Sequence, residues 1–195
     1  MTVAAAILAA GRGSRLETST PKPLTLLHGR PLVAWALDAA QAAELDPVVL
    51  VVGRAGRTVG HHAPADVEVV RARRWRQGIA HSLRAALAAL DTTRSAAVCV
   101  GLADQPLIGP DAYRRLTRAH TQGARLAVAT YAGQRANPVL LDRSLWPAAA
   151  QLRGDVGARA LMATSDVVEV DCTGTGDPSD VDTLDDLRAL EGRTL

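Results

Sequence analysis

At 195 residues, with 48% hydrophobic residues and a formal net charge of +2, the chain can bury a substantial core without disulfide or metal staples and is too evenly charged to be a nucleic-acid or membrane arm. That length favours one enzyme-sized domain over residues 1–195. The two cysteines, Cys99 and Cys172, lie far apart and outside any CxxC pattern, which supports neither a zinc knuckle nor a disulfide framework and points to a reducing, cytoplasmic setting.

The opening residues MTVAAAILAAG lack the charged start of a secretory signal, and no apolar run approaches the ~20 residues needed to cross a bilayer, so no membrane partner is expected. The run 3–10 reads instead as a buried strand. Further apolar, β-branched runs at 47–53, 67–72, 96–103 and 125–131 have the look of strands covered on both faces. Ala/Leu-rich segments with helical spacing occur at 31–43, 78–90, 111–121 and 183–191. Between the last strand and the last helix, 134–161 breaks the alternation and predicts an inserted strand with two short helices, forming one wall of a cleft. Strand and helix in turn predict an α/β fold with a mostly parallel sheet and right-handed crossovers, and ligands in such folds sit beyond the carboxyl ends of the strands.

The first of those ends carries Ala10-Gly11-Arg12-Gly13-Ser14-Arg15. Its glycines let the backbone approach a ligand and turn N–H groups toward an anion, although a plain glycine-rich turn has the same composition. Lys22 follows between Pro21 and Pro23, and it is the only lysine among 22 Lys+Arg. A chain that otherwise spells positive charge as arginine keeps one mobile point charge beside a loop suited to phosphate. A Walker loop is excluded, because Lys22 does not follow a glycine and precede Ser or Thr. A dinucleotide fingerprint is excluded as well, since Leu16 stands where its third glycine belongs.

Other clusters carry less. The basic stretch 71–77, RARRWRQ, is short on a near-neutral chain and reads as a solvated face or small phosphate site rather than a nucleic-acid surface. His61-His62 lacks the neighbours of a metal site, and no spacing favours a Ser-His-Asp arrangement.

Leu8-Ala9-Ala10-Gly11, Ser14, Arg15 and Lys22 resemble the signature loop of the nucleotidyltransferases with a glycosyltransferase-A-like (GT-A) Rossmann fold, the MobA/MocA-like NTP transferases. GLADQPLI at 101–108 is similar to the metal-binding segment of that superfamily, and its DQP to the form in molybdenum-cofactor cytidylyltransferases. WRQGIAHSLRAAL at 75–87, the segment 137–162 and DVDTLDDL at 180–187 match further segments in the same order. PKPL followed by LHGRPLVAWALDA reads more like a sugar-1-phosphate nucleotidyltransferase, and Asn137 replaces a histidine usual in the cytidylyltransferases.

The resemblance implies a three-layer α/β/α sandwich and a Mg2+-dependent transfer of a nucleoside monophosphate, CMP from CTP in preference to GTP, onto a phosphorylated acceptor such as molybdopterin. Its protein partner would be a molybdoenzyme or another member of the molybdenum-cofactor pathway. Leu8, Ala9, Ala10, Gly11, Gly13 and Ser14 would form the nucleotide loop, with Arg15 on the leaving phosphates and Lys22 on the α-phosphate. Gly78 and Ser82 would meet the base or ribose, or else serve the start of a helix. Asp104, at the end of strand 96–103, is the first expected metal ligand. Asp182 is the second, unless it caps the last helix, in which case its neighbour Asp180 is placed to exchange roles. Asn137, Asp155 and Arg159 would hold the acceptor, the latter two alternatively forming a salt-bridged helix start. A catalytically silent nucleotide-binding maturation partner is the reading from another class.

Overall fold

The computed structural model describes residues 2–11, 16, 20–163 and 165–192 of the chain. Strand β1, Val3–Ala9, is buried along its whole length. A 3-10 turn at Lys22–Leu24 follows, shaped by the prolines on either side of Lys22. Strands β2, Leu26–Leu27, and β3, Arg30–Pro31, then form a small antiparallel hairpin. The chain continues through α1 (Leu32–Ala42), β4 (Val48–Val52), α2 (Gly56–Gly60) and β5 (Glu68–Arg71). A 3-10 turn at Trp75–Gln77 leads into α3 (Ile79–Leu90), then β6 (Ala97–Leu102) and α4 (Pro110–Thr121). Strands β7 (Leu126–Tyr131) and β8 (Gln134–Asp142) are joined through Ala132-Gly133, both at positive φ as a two-residue hairpin turn requires. Short helical turns at Arg143–Leu145, α5 (Trp146–Ala149) and Ala158–Ala163 precede β9 (Val168–Asp171) and α6 (Leu184–Glu191).

The main sheet has the order β5-β4-β1-β6-β8-β7-β9 and is parallel except for β8, which runs antiparallel to both neighbours. That strand is the expected insertion. The β2–β3 hairpin, α2 and β9 have no counterpart in the sequence reading. Two of them are too short to show a period, and β9 is a mostly exposed edge strand whose alternating VEVD lacks a continuous apolar run.

Alternation along β1 builds the layers. Val3, Ala5, Ile7 and Ala9 join the cluster of Val33 and Leu37 from α1 and Tyr113 and Leu116 from α4. Ala4, Ala6, Leu8 and Ala10 join Leu83 and Leu87 from α3 and Trp146 and Ala149 from α5. Both faces of the strand are thereby covered, which is why it reads as an unbroken apolar run. The result is a three-layer α/β/α sandwich. From β1 the sheet grows to β4 and β5 on one side, whereas β6 lies on the other. The carboxyl ends of β1 and β6 therefore flank the crevice where strand order reverses, the usual ligand position in such sheets. No helix among the described residues is long and apolar enough to cross a membrane.

Helix α6 is fixed by a capping box. Thr183 Oγ1 accepts from the Asp186 N–H at 3.1 Å, and Asp186 Oδ2 accepts from the Thr183 N–H at 2.7 Å. Thr183→Ala should lower the unfolding free energy by about 1 kcal/mol, the usual cost of a lost N-cap. Urea unfolding of the two proteins measures that difference, and an unchanged midpoint would show that the cap contributes nothing.

Candidate active site

Strand β6 reaches the crevice through Ala103, whose N–H donates to the Leu8 carbonyl at 3.1 Å, and the next residue is Asp104. From there the backbone runs beside a segment seventy residues later in the chain. Gly109 N–H donates to Thr175, Asp177 N–H to Leu107 and Val181 N–H to Asp104, at 2.9, 2.9 and 2.8 Å. The approach is close enough that a Cβ on Gly176, at φ +138°, would stand 2.2 Å from the Leu107 carbonyl oxygen. This seam brings Asp182 to the side of Asp104.

Lys22 closes the arrangement. Its Nζ donates to Asp104 Oδ2 at 2.6 Å and to Asp182 Oδ1 at 2.7 Å, with the lysine side chain only 9% exposed. Burial alone would lower the lysine pKa, but the charge and hydrogen bond of Asp104, reinforced by Asp182, carry it above its ordinary value. The ammonium is therefore intact at neutral pH. Asp180 is also shifted upward, which for a carboxyl favours the neutral form: burial, then the charges of Asp104 and Asp182, raise its pKa, and Lys22 offsets part of that rise.

Two connected hollows open beside this cluster. One, of about 250 Å3, runs from Leu8, Ala10 and Gly11 past Trp75, Arg76, Gly78 and Ser82 to Asp104 and Asp155. The other, also about 250 Å3, has an apolar floor that includes Leu8, Leu83, Val100 and Val139, and a polar rim of Gln105, Asn137, Asp155, Arg159 and Asp180. Leu8, Ile79, Leu102 and Asp155 border both. In the second hollow, Asn137 Nδ2 donates to Gln105 Oε1 at 2.8 Å, and Gln105 Nε2 donates to the Pro178 carbonyl at 2.9 Å. A buried amide chain thus ties β8 to the loop that carries Asp180 and Asp182.

Chemically, the cluster offers two carboxylates and an ammonium at the mouth of a cleft. Among the described residues no group of three or more His, Cys, Asp or Glu side chains is arranged to enclose a metal ion. Two carboxylates nonetheless suit a hard dication that takes its remaining oxygen ligands from water and phosphate.

The MobA-like NTP transferase domain model matches residues 5–170, most of the chain. The chain belongs to that family. Among solved structures it is similar to Rv0371c from Mycobacterium tuberculosis, with a TM-score of 0.84 and 32% identity over 98% of each chain. The same mycobacterial protein in complex with manganese matches at TM-score 0.81 and 30% identity, covering 98% of each chain. A nucleotidyl transferase from Methanothermobacter, at TM-score 0.80 and 20% identity over 97% of this chain and 96% of its own, shares the fold. Among curated proteins, the bifunctional protein GlmU of Geobacter metallireducens is 39% identical over 132 residues, 66% of this chain and 27% of its own. The chain spans about a quarter of the length of such relatives. These findings give the chain a MobA-like NTP transferase domain and the fold seen in Rv0371c.

Within this MobA-like chain, the expected site residues fare differently. Gly13, Ser14 and Arg15 lie outside the described residues. Leu8, Ala10, Gly11, Gly78, Ser82 and Asp104 line the first hollow, and Asn137, Asp155 and Arg159 line the second. Ala9 does not line either, because strand alternation turns its side chain into the opposite layer, toward α1. The alternative of Asp182 as helix cap is overturned, since Thr183 holds that position. Ser82 is likewise no cap: it lies buried inside α3, whose N-cap is Gly78. Nor do Asp155 and Arg159 form a salt bridge with described residues. Trp75 and Arg76, from the stretch 71–77 read as a solvated face or small phosphate site, also line the first hollow, whereas the bracing role of Gln105 was missed. Gln105 sits in the DQP string, but only the fold reveals Asn137 and Pro178 as its partners.

Gly78, at φ +110°, allows the loop at 154–155 to dock on the start of α3, where the Ala80 N–H donates to the Gly154 carbonyl at 3.2 Å. A Cβ there would stand 2.1 Å from the Gly154 carbonyl. Gly78→Ala should therefore destabilise the protein by roughly 1–3 kcal/mol, through backbone strain and a displaced loop, and weaken nucleotide binding. Thermal unfolding with and without a triphosphate reads both effects. Retention of stability and affinity together would show that the contact is dispensable.

Proposed function

We propose that this chain is a Mg2+-dependent nucleotidyltransferase over its full 1–195 span, moving CMP from CTP onto a phosphorylated cofactor such as molybdopterin and releasing pyrophosphate. The observation that carries the reading is the convergence of Lys22, Asp104 and Asp182, from segments 82 and 160 residues apart, at the mouth of a two-part cleft. A non-catalytic nucleotide binder has little use for all three.

The reaction is an in-line displacement in which an acceptor phosphate oxygen attacks the α-phosphorus and the bond to the pyrophosphate oxygen breaks. The protein's task is alignment and countercharge. Lys22 neutralises charge on the α-phosphate, and Arg15 holds the leaving phosphates. Leu8, Ala10, Gly11, Gly13, Ser14, Gly78 and Ser82 seat the nucleotide. Asn137, held by Gln105, works with Asp155 and Arg159 to orient the acceptor. Asp104 and Asp182 are the residues that would hold Mg2+, whose contribution when bound is to polarise the phosphates and offset the charge of transfer. That the similar mycobacterial protein has been solved in complex with manganese supports a divalent ion for this chain.

The apolar floor of the second hollow favours an acceptor that can lay an apolar face against it. The sugar-like reading of PKPL gives a sugar 1-phosphate as the competing acceptor. A panel of the four NTPs with Mg2+, crossed with molybdopterin and sugar 1-phosphates, is expected to release pyrophosphate with CTP and molybdopterin. Release with a sugar phosphate would move the assignment, and silence with every pair despite tight nucleotide binding would favour the maturation-partner reading. With the productive pair, Asp104→Asn and Lys22→Met should each lower turnover by about a hundredfold or more, the scale of a lost transition-state charge partner. Unaltered rates would remove these residues from the chemistry.

A further inference from the structure

Lys22 is placed in a way that phosphate binding alone does not require. Its Nζ lies within 2.6 and 2.7 Å of one oxygen each from Asp104 and Asp182, between the two carboxylates assigned above to the metal. A hard dication such as Mg2+ draws its oxygen ligands to about 2.1 Å, so it cannot take those oxygens while the nitrogen stays between them. The ammonium and the ion compete for one position.

We infer that Lys22 is the resident counter-cation of the metal site, holding Asp104 and Asp182 together in the free protein and ceding its position only when nucleotide phosphates are present to receive it. This inference rests on the reading of the two aspartates as metal ligands. With the lysine in place, the three charges sum to −1, and neither carboxylate is left facing its like-charged neighbour alone. Moving the ammonium away without a new anion to receive it would leave the two carboxylates facing each other without a cation between them. A triphosphate supplies that anion. Metal and nucleotide therefore enter as coupled events, and the coupling is reciprocal: each tightens the other by the same factor.

The side chain suits the role. A lysine stem bends at four carbons and ends in a compact charge, whereas the planar fork of arginine would stay locked to the carboxylates. The chain uses arginine everywhere else, with Lys22 its only lysine. The flanking prolines set the backbone of the Lys22–Leu24 turn, so the exchange is a swing of the stem rather than a loop movement.

Mn2+ binding followed by electron paramagnetic resonance, without nucleotide, tests the exchange apart from activity. Wild type should bind Mn2+ weakly and gain at least tenfold in affinity when a non-hydrolysable triphosphate analogue is added. Lys22→Met should bind Mn2+ alone at least tenfold more tightly than wild type and gain little from the analogue, and Asp104→Asn should lose the ion. If Asp104→Asn loses Mn2+ but Lys22→Met does not gain, the exchange is wrong and the ligand assignment survives. If Asp104→Asn binds Mn2+ like wild type, the ligand assignment itself falls, and the exchange with it. A wild-type measurement avoids any folding defect of the variants: protein labelled with 13C-lysine presents one lysine Cε resonance. That resonance should stay in place with Mg2+ alone and shift when Mg2+ and a non-hydrolysable triphosphate analogue are both present, and a signal that stays in place with both would overturn the inference.

Discussion

The structure around the cleft depends on one electrostatic problem, two carboxylates that must share a confined space. Their repulsion is tolerable because a buried ammonium lies between them, and that ammonium remains charged because the carboxylates outweigh its desolvation. Each member is placed by a different device. Lys22 sits on a proline-bounded turn, Asp104 continues a buried strand, and Asp182 is carried in by a backbone seam that glycine permits. The pressure of the neighbouring charges on Asp180 is a further sign of how concentrated negative charge is at this end of the sheet.

The sheet makes such concentration affordable in structural terms. Strands β1 and β6 are buried on both faces by small and branched side chains, so their ends are rigid platforms rather than mobile loops. The antiparallel β8 then brings Asn137 to the same end from the opposite chain direction, and the Gln105 amide locks it to the loop leading to Asp182. Polar groups buried in this way are bonded to one another, which holds the rim of the second hollow in one arrangement.

Much of this was legible in the chain. Continuous apolar runs disclosed β1, β4, β6 and β7, because a strand covered on both faces cannot alternate, whereas 67–72, read the same way, is the largely exposed edge strand β5. The solitary lysine and the aspartate ending an apolar run disclosed two members of the cluster. Elements that escaped are those whose signal is short or shared: the two-residue strands of the hairpin, the five-residue α2 and the mostly exposed β9. The ambiguity over Asp182 could not be resolved from DVDTLDD, where several residues suit a helix start. It took the Thr183–Asp186 pair to release Asp182 from that duty. Long-range partnerships such as Asn137 with Gln105 leave no trace in local spacing at all.

The backbone contact between Gly78 and the loop at 154–155 has a consequence for how such a protein can diversify. The start of α3 borders the hollow beside the glycine loop, while residues 155–159 border the hollow with the apolar floor, and the two meet with no side chain between them. Remodelling one chamber therefore transmits directly to the other. A change in the 154–159 loop that reshapes the hollow with the apolar floor must either leave room for that glycine or reshape the first hollow in step.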